Sequence, residues 1–182
     1  LGVIFTFAAF LAGTAPAQAA DNIDCAIEAL EIDPEYMLIG YENLLAFGDP
    51  KQPFTKSGSQ AELDMVISEC ARKNAWSKQA SKLAAQFTIA SATISFIEFE
   101  MSQAGAPEDF GKDLYNDMSN AELKTLRKTG KLSAPHSKMV ASAMTKYFGA
   151  KPKKGVKDFF YRWPQMLEDR DVSSLAFIKI KK

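Results

Sequence analysis

The sequence predicts an all-α protein, an irregular multi-helix domain of about six to eight helices with one long central helix. Three observations predict it: helix-capping residues recur along the chain, apolar residues repeat every three or four positions between them, and hairpin dipeptides and fixed-period repeats are absent. Hydrophobic residues make up 47% of the 182 residues. A domain of this size buries roughly 70% of the surface of its unfolded chain, so we expect a substantial core.

The first twenty residues form a segment of their own that carries no charge. An apolar run is followed by small residues, and Ala17-Gln18-Ala19 fits the small-x-small rule of signal-peptidase cleavage. We therefore expect residues 1–20 to be a cleaved signal peptide whose basic start lies further upstream. Residues 21–182 are then a single mature helical domain in the periplasm or in the secreted fraction.

Three other interpretations of this segment have less support. A membrane anchor needs about 20 apolar residues, and Pro16 interrupts a shorter run. A lipoprotein carries small residues directly before its cysteine, whereas polar residues precede Cys25. A buried core helix is unexpected beside a cleavage pattern. The alanine-rich cleavage region indicates a bacterial protein. No later segment comes near membrane-spanning length, so no transmembrane span is expected after signal cleavage.

The chain has two cysteines, Cys25 and Cys70, both in the mature part. An even number in an oxidising compartment predicts a disulfide. The bond would close a loop of about 45 residues, for which the chain-entropy model gives about 4 kcal/mol. Two buried free thiols or a metal pair are the alternatives, and a metal pair has little support because His136 is the only histidine and no CxxC occurs.

In the first half, caps and breakers outline three helices before the central one. Pro at a first helical position and Ser followed by Glu three residues later are helix-start signals. The predicted starts are Asp21 or Asp24, Asp33-Pro34, and the capping box of Ser59 and Glu62. The second helix ends at Gly48, and the third is broken between Asn74 and Ser77. Residues 48–59 are predicted to form a loop.

The long central helix is predicted from Ser77 to about Gln103, and Gly105 ends it. Its apolar residues recur at helical spacing. They are Leu83, Phe87, Ala90, Ile94, Ile97 and Met101. A second stripe, Ile89 and Phe96, indicates that other helices surround it on more than one side.

Four further helical segments are predicted in the second half. They run from Pro107 to Met118, Ser119 to Gly130, Ser133 to Gly149 and Val156 to Arg170. Ser119 and Glu122 form a second capping box, and Pro164 must either start or kink the last helix. Residues 172–182 are expected to be a short strand or a flexible basic tail.

The sequence lacks the motifs of the common catalysts and cofactors. There is no GxSxG elbow, SxxK dyad, CxxCH, ExxH pair or glycine-rich phosphate loop. Any Ser–His or Cys–His mechanism must use His136, whose place at a helix start is typical of a surface or capping histidine. Glu98 and Glu100 point to different faces of a helix and are not a natural acid/base pair. No catalytic residue, metal or cofactor is predicted.

A basic and aromatic stretch near the end of the chain is the candidate partner-binding surface. Its members are Lys151, Lys153, Lys154, Lys157, Tyr161, Arg162 and Trp163. Cationic side chains beside exposed aromatic rings suit an acidic protein or an anionic envelope component, and no specific nucleic acid is expected. The alternative is a solvated basic loop followed by a core helix in which Phe159, Phe160 and Trp163 form a buried stripe.

Charge is divided unevenly along the chain. Residues 1–110 hold 6 Lys and Arg against 15 Asp and Glu, a net charge of −9, and residues 111–182 hold 16 against 7, a net charge of +9. Such asymmetry can indicate an electrostatic partner. The simpler interpretation is that the two halves pack against each other.

Together these features favour a non-enzymatic periplasmic or secreted protein that binds a partner or an envelope component. Two alternatives stay open. A small cell-envelope hydrolase of the muramidase type would need a cleft holding two carboxylates, or His136 beside a hydroxyl. A carrier of an apolar ligand would need an enclosed cavity between helices.

Overall fold

The structure is a computed structural model that describes residues 22–30, 34–48, 54, 57–107, 109–149 and 156–180. These residues form eight α-helices and no strand. The helices are α1 (Cys25–Leu30), α2 (Pro34–Gly48), α3 (Gly58–Asn74), α4 (Lys78–Gln103), α5 (Phe110–Asn116), α6 (Asn120–Thr129), α7 (Ala134–Phe148) and α8 (Val156–Ile180). The predicted all-α fold is confirmed, and the predicted signal peptide, residues 1–20, lies outside the described residues.

Several helix boundaries follow the predicted signals. The side chain of Ser77 caps α4, and the reciprocal bonds of Ser119 and Glu122 form the expected capping box at α6. Gly105 and Gly130 follow their helices with positive φ, a conformation that glycine adopts without steric cost. Local sequence therefore determines where most helices begin and end.

The start of α3 differs from the prediction. Ser57, and not Ser59, is the N-cap, because its backbone is extended and its hydroxyl accepts the Gln60 N–H at 3.3 Å. Ser59 is buried inside the first turn, where its N–H donates to the Glu42 carboxylate at 3.2 Å. That bond ties α3 to α2.

Two long helices, α4 and α8, run antiparallel through the molecule, and each of the other helices packs against at least one of them. Trp163, near the start of α8, shares a core with Met101 at the end of α4. Phe177, near the end of α8, packs edge-on against Trp76, just before α4, with ring centroids 5.5 Å apart. The predicted central helix α4 is thus paired with a second helix of nearly equal length.

Each end of this pair carries its own apolar core. The first core joins the end of α4 and the start of α8 to α5, α6 and α7, and includes Leu114, Leu126 and Val140. The second core joins the start of α4 to α1, α2 and α3, and includes Leu30 and Leu63. The structure therefore has an α1–α3 end and an α5–α7 end.

The disulfide lies in the α1–α3 end. Cys25 at the start of α1 is bonded to Cys70 in α3 with an S–S distance of 2.05 Å, which confirms the predicted pairing. It fastens the short helix α1, whose six residues would otherwise be held only by side chains such as Ala26 and Leu30.

The last helix corrects the expectation for residues 172–182. Its residues up to Ile180 are helical and form neither a strand nor a loose tail, because Phe177 is buried in the second core. α8 also continues through Pro164. A proline inside a helix costs about 3 kcal/mol, a cost that the burial of Trp163 and Met166 on either side of it offsets.

No helix in the described part of the chain is long and apolar enough to cross a membrane.

A candidate ligand-binding cleft between α4, α5 and α8

Trp163, the tryptophan of the predicted partner surface, is not accessible to a partner. Trp163 is 1% exposed and packs against Phe110, with ring centroids 6.4 Å apart. A Cβ at Gly111 would lie 2.1 Å from the indole ring, so this helix turn accepts the tryptophan only because residue 111 is glycine. Trp163 is a core residue, as the alternative interpretation of the stretch proposed.

The other members of that stretch are divided. Tyr161 is half-buried, and its hydroxyl donates to the Ser137 carbonyl at 3.4 Å, while Arg162 is half-buried beside it in α8. Lys151, Lys153 and Lys154 lie outside the described residues, as does the side chain of Lys157. For these lysines the partner surface stays a prediction.

The sequence indicated a surface or capping histidine. The surface alternative is wrong, since His136 is only 4% exposed, and its side chain instead contacts Ser133, the N-cap residue of α7. Its Nδ1 lies 2.7 Å from the Ser133 hydroxyl and 3.2 Å from a Glu122 carboxylate oxygen, and its Nε2 lies 3.4 Å from Asp117. Asp117 follows α5, Glu122 is in α6 and Ser133 precedes α7. The imidazole therefore joins three helix ends.

Glu122 is the electrostatic centre of this junction, which we call the His136 junction (Asp117, Ser119, Glu122, Ser133 and His136). The backbone N–H and the hydroxyl of Ser119, with a smaller contribution from the Ser133 hydroxyl, lower the pKa of Glu122 to about 2. The carboxylate is thus ionised at any neutral pH. Ser133 and His136 line none of the clefts described below, and the contacts of the junction connect α5, α6 and α7.

The largest of these clefts, about 640 Å³, opens between α4, α5 and α8. Each helix contributes residues from one face. They are Glu98, Phe99 and Ser102 from α4, Asp109, Lys112, Tyr115 and Asn116 from the start and body of α5, and Leu167, Arg170 and Asp171 from α8. Two cations, three carboxylates, an amide and two hydroxyl groups therefore line one cleft together with the rings of Phe99 and Tyr115.

Phe99 stands out in this cleft because it is 48% exposed. Because about half of this side chain is in water, the protein forgoes about half of the roughly 1.5 to 3 kcal/mol that full burial provides. The exposed face of the ring is available to pack against a ligand.

A partly buried polar network centred on Glu168 forms one wall of the cleft. The Tyr115 hydroxyl donates to Glu168 at 2.7 Å and lies 3.3 Å from an Asp171 oxygen. Glu168 is 2% exposed, and the guanidinium of Arg127 from α6 forms an ion pair with its other oxygen. This network fixes Tyr115 and holds α5 and α6 to α8.

Burial, and then the hydrogen bond to Glu168 and the negative charges of Asp171 and Glu168, raise the pKa of Tyr115 well above its ordinary value. The phenol therefore stays protonated and keeps its proton on the carboxylate side. The ring face, and not an ionised oxygen, is what Tyr115 offers to a ligand.

Sequence reasoning did not find this cleft, because its residues are spread from position 98 to position 171. One local signal was available. Asp109, Lys112 and Asn116 fall at i, i+3 and i+7, which places these polar residues on one face of the segment. Leu114 lies on the opposite face. The pairing of that face with α8 depends on tertiary packing.

Two smaller clefts lie elsewhere in the described part of the chain. One of about 380 Å³ lies beside the disulfide between α1 and α3, and one of about 320 Å³ lies between α2, α4 and α8. Within the described ranges, no group of three or more His, Cys, Asp and Glu side chains is arranged to hold a metal ion.

Comparison with known proteins gives no match: no protein-family model fits the chain, and no curated protein or solved structure is significantly similar to it.

Proposed function

We propose that the protein is an exported, non-enzymatic binding protein, periplasmic or secreted, and that it holds a polar glycan component of the cell envelope in the cleft between α4, α5 and α8. The observation that carries this proposal is the composition of the cleft. Hydrogen-bond donors and acceptors surround the exposed ring of Phe99 in a space of about 640 Å³.

The charges in the cleft favour an uncharged ligand with many hydroxyl groups. Lys112 and Arg170 donate, whereas Glu98, Asp109 and Asp171 accept. A sugar hydroxyl donates and accepts at once, so it can bridge a cation and a carboxylate without leaving either unpaired. A strongly anionic ligand would meet the carboxylates, and like charges at close range are unfavourable.

The aromatic side chains suit the same ligand. A pyranose ring has an apolar face of C–H groups that can pack on an aromatic ring, while its edge carries the hydroxyls. Phe99 provides such a ring at the open side of the cleft, and Tyr115 provides a second one held rigidly by Glu168. A rigid wall reduces the entropy lost on binding.

Export is supported by two features of the chain. Stable disulfides are rare in reducing compartments and common outside them, and Cys25 is bonded to Cys70. The uncharged segment 1–20 ends in a signal-peptidase pattern. Expression of the full-length precursor and mass spectrometry of the exported product should give a mature chain beginning near Asp21.

Binding is tested by titrating the isotope-labelled protein with chitotetraose, a neutral amino-sugar oligomer, and following backbone amide shifts. We expect saturable shifts at α5 and at the facing turns of α4 and α8. Phe99→Ala should weaken binding at least tenfold, since it removes the exposed ring without opening a core cavity. Met139→Ala is the matched control, because Met139 is similarly exposed on α7 and outside the cleft.

The outcome decides clearly between ligand classes. Shifts confined to surfaces outside the cleft, or equal affinities for the two variants, would contradict the glycan proposal. Saturable binding of a tripeptide with no response to chitotetraose would assign the cleft to peptides instead.

A small cell-envelope hydrolase of the muramidase type is the second candidate. One observation favours it: the carboxylates of Glu98, Asp109 and Asp171 all line the cleft. Glycoside hydrolysis uses two carboxyl groups, one as acid and one as base or nucleophile. Release of new reducing ends from purified peptidoglycan, lost in Asp109→Asn and in Asp171→Asn, would select this function over binding alone.

A carrier of an apolar ligand has less support, because charged side chains line the cleft.

A further inference from the structure

The cleft between α2, α4 and α8 differs in chemistry from the one described above, and the two share no lining residue. Its volume of about 320 Å³ lies at the small end of the range for ligand pockets. Most of its wall is apolar, formed by Ile89 and Ala90 of α4 and by Met166 and Val172 of α8. A ligand of a few carbon atoms fits this space.

One charge faces this apolar wall. Asp169 is the only charged residue among the described residues that line the cleft. Met166, Asp169, Val172 and Ser173 follow one another at helical spacing, which places the carboxylate between the apolar side chains on one face of α8.

The carboxylate of Asp169 has no cationic partner among the described residues. Its one hydrogen bond comes from the Gln165 amide at 2.9 Å, and no ion pair in the described part of the chain includes it. Burial raises the pKa of Asp169, the bond from Gln165 lowers it, and the negative charge of Glu168 raises it further. A half-buried carboxylate in this position is stabilised by any cation that reaches it.

Neutral polar groups complete the site. Asn43, Gln86 and Ser173 line the cleft around the carboxylate and can accept hydrogen bonds through amide or hydroxyl oxygens. Asn43 is buried, and its amide donates to the Thr93 hydroxyl at 2.9 Å, which fixes its orientation. Acceptors around a single anion match a group that has several N–H donors and a positive charge.

We propose that this cleft binds a small alkylammonium ion, whose ammonium group pairs with Asp169 and whose alkyl chain lies against Met166, Ile89 and Val172. The ion pair provides the charge recognition and the apolar wall removes the chain from water. No lysine or arginine is among the described residues that line the cleft, so no cationic side chain there would pair with an anion. This site is independent of the glycan proposal.

The test is a titration of the full chain with n-butylammonium chloride, followed by amide shifts. We expect saturable shifts at α8 residues around Asp169 and at the facing turn of α4. n-Butanol has the same chain without the charge, and butyrate reverses the charge. Butanol should bind at least tenfold more weakly, and butyrate should produce no shift at these positions.

The matched variants are Asp169→Asn and Asp113→Asn. Asp169→Asn should weaken butylammonium binding at least tenfold while its melting temperature is unchanged or higher, because it removes a half-buried charge that has no cationic partner among the described residues. Asp113 is exposed on α5, outside this cleft, so its variant should bind as the wild type does. Equal binding of butanol and butylammonium, or full binding by Asp169→Asn, would overturn the proposal.

An alkylammonium group can belong to a free amine or to a lysine side chain of a peptide. A parallel titration with N-acetyl-lysine methylamide distinguishes these sources, and tighter binding of one of the two probes identifies it. Failure of both probes would refute ammonium recognition and would leave the glycan cleft unaffected.

Discussion

The two ends of the molecule are held together by different means. At the α1–α3 end a disulfide joins Cys25 to Cys70. At the α5–α7 end the described residues contain no such bond, and polar networks around His136 and Glu168 join the helices instead. A covalent bond constrains the unfolded chain, whereas a hydrogen-bond network stabilises only the folded one. The two ends should therefore respond to different perturbations.

The largest expected effect is on the α1–α3 end. Replacing both cysteines with alanine should lower the free energy of unfolding by about 4 kcal/mol, since the unfolded chain regains the entropy of a loop of about 45 residues. Guanidinium denaturation measures the loss. Hydrogen exchange should accelerate in α1 and α3 and change little in α6 and α7. Uniform acceleration across the chain would show that the two ends are one cooperative unit.

A second perturbation addresses the α5–α7 end through packing. Gly111→Ala places a methyl group on the Trp163 indole, and such overpacking costs about 1 to 3 kcal/mol. Gly58→Ala is the control, because no atom lies near the added Cβ there. Denaturation midpoints measured for both variants should differ clearly. Equal midpoints would contradict the close packing of the Trp163 indole against Gly111.

The smallest effect is a pH dependence specific to the His136 junction. The pKa of Glu122 is lowered to about 2 in the folded protein, from an ordinary value of 4.5 in the unfolded chain. A lowered folded-state pKa contributes stability that is present above pH 4.5 and is lost as the pH falls towards 2.

Glu122→Gln should therefore reduce the loss of stability over this pH range, measured as the melting temperature from pH 5 to pH 2.5. Glu62→Gln, a carboxyl of α3 outside the junction, should retain the wild-type slope. A Glu122→Gln slope equal to that of the wild type would contradict the role assigned to this carboxylate.

Features encoded by neighbouring residues were the predictable part of the fold. Ser119 and Glu122 mark the start of α6 within three residues of each other, and the stripe from Leu83 to Met101 identifies α4 without any knowledge of its partners. The disulfide could be paired because Cys25 and Cys70 are the only two cysteines.

Features that depend on distant contacts were not predictable. Ser57 and Ser59 are equivalent as local cap signals, and the bond from Ser59 to Glu42 decides which one is buried. Trp163 follows a basic segment that resembles a partner surface. Its burial in the core depends on the absence of a side chain at Gly111, which is distant in the sequence.

The candidate clefts also depend on contacts between residues that are distant in the sequence. Each is assembled from three helices whose faces meet only after α8 has packed against α4. Their residues carry no shared motif, because a binding surface of mixed polar groups needs positions in space and not a fixed spacing in the chain.

The contact between Phe177 and Trp76 has a consequence for the order of synthesis and folding. The core around α1 to α3 includes a ring that the ribosome adds about one hundred residues after the tryptophan it covers. A nascent chain can form helices and can oxidise its cysteines before then, but it cannot close this core. Closure of this core is thereby deferred until α8 has been synthesised.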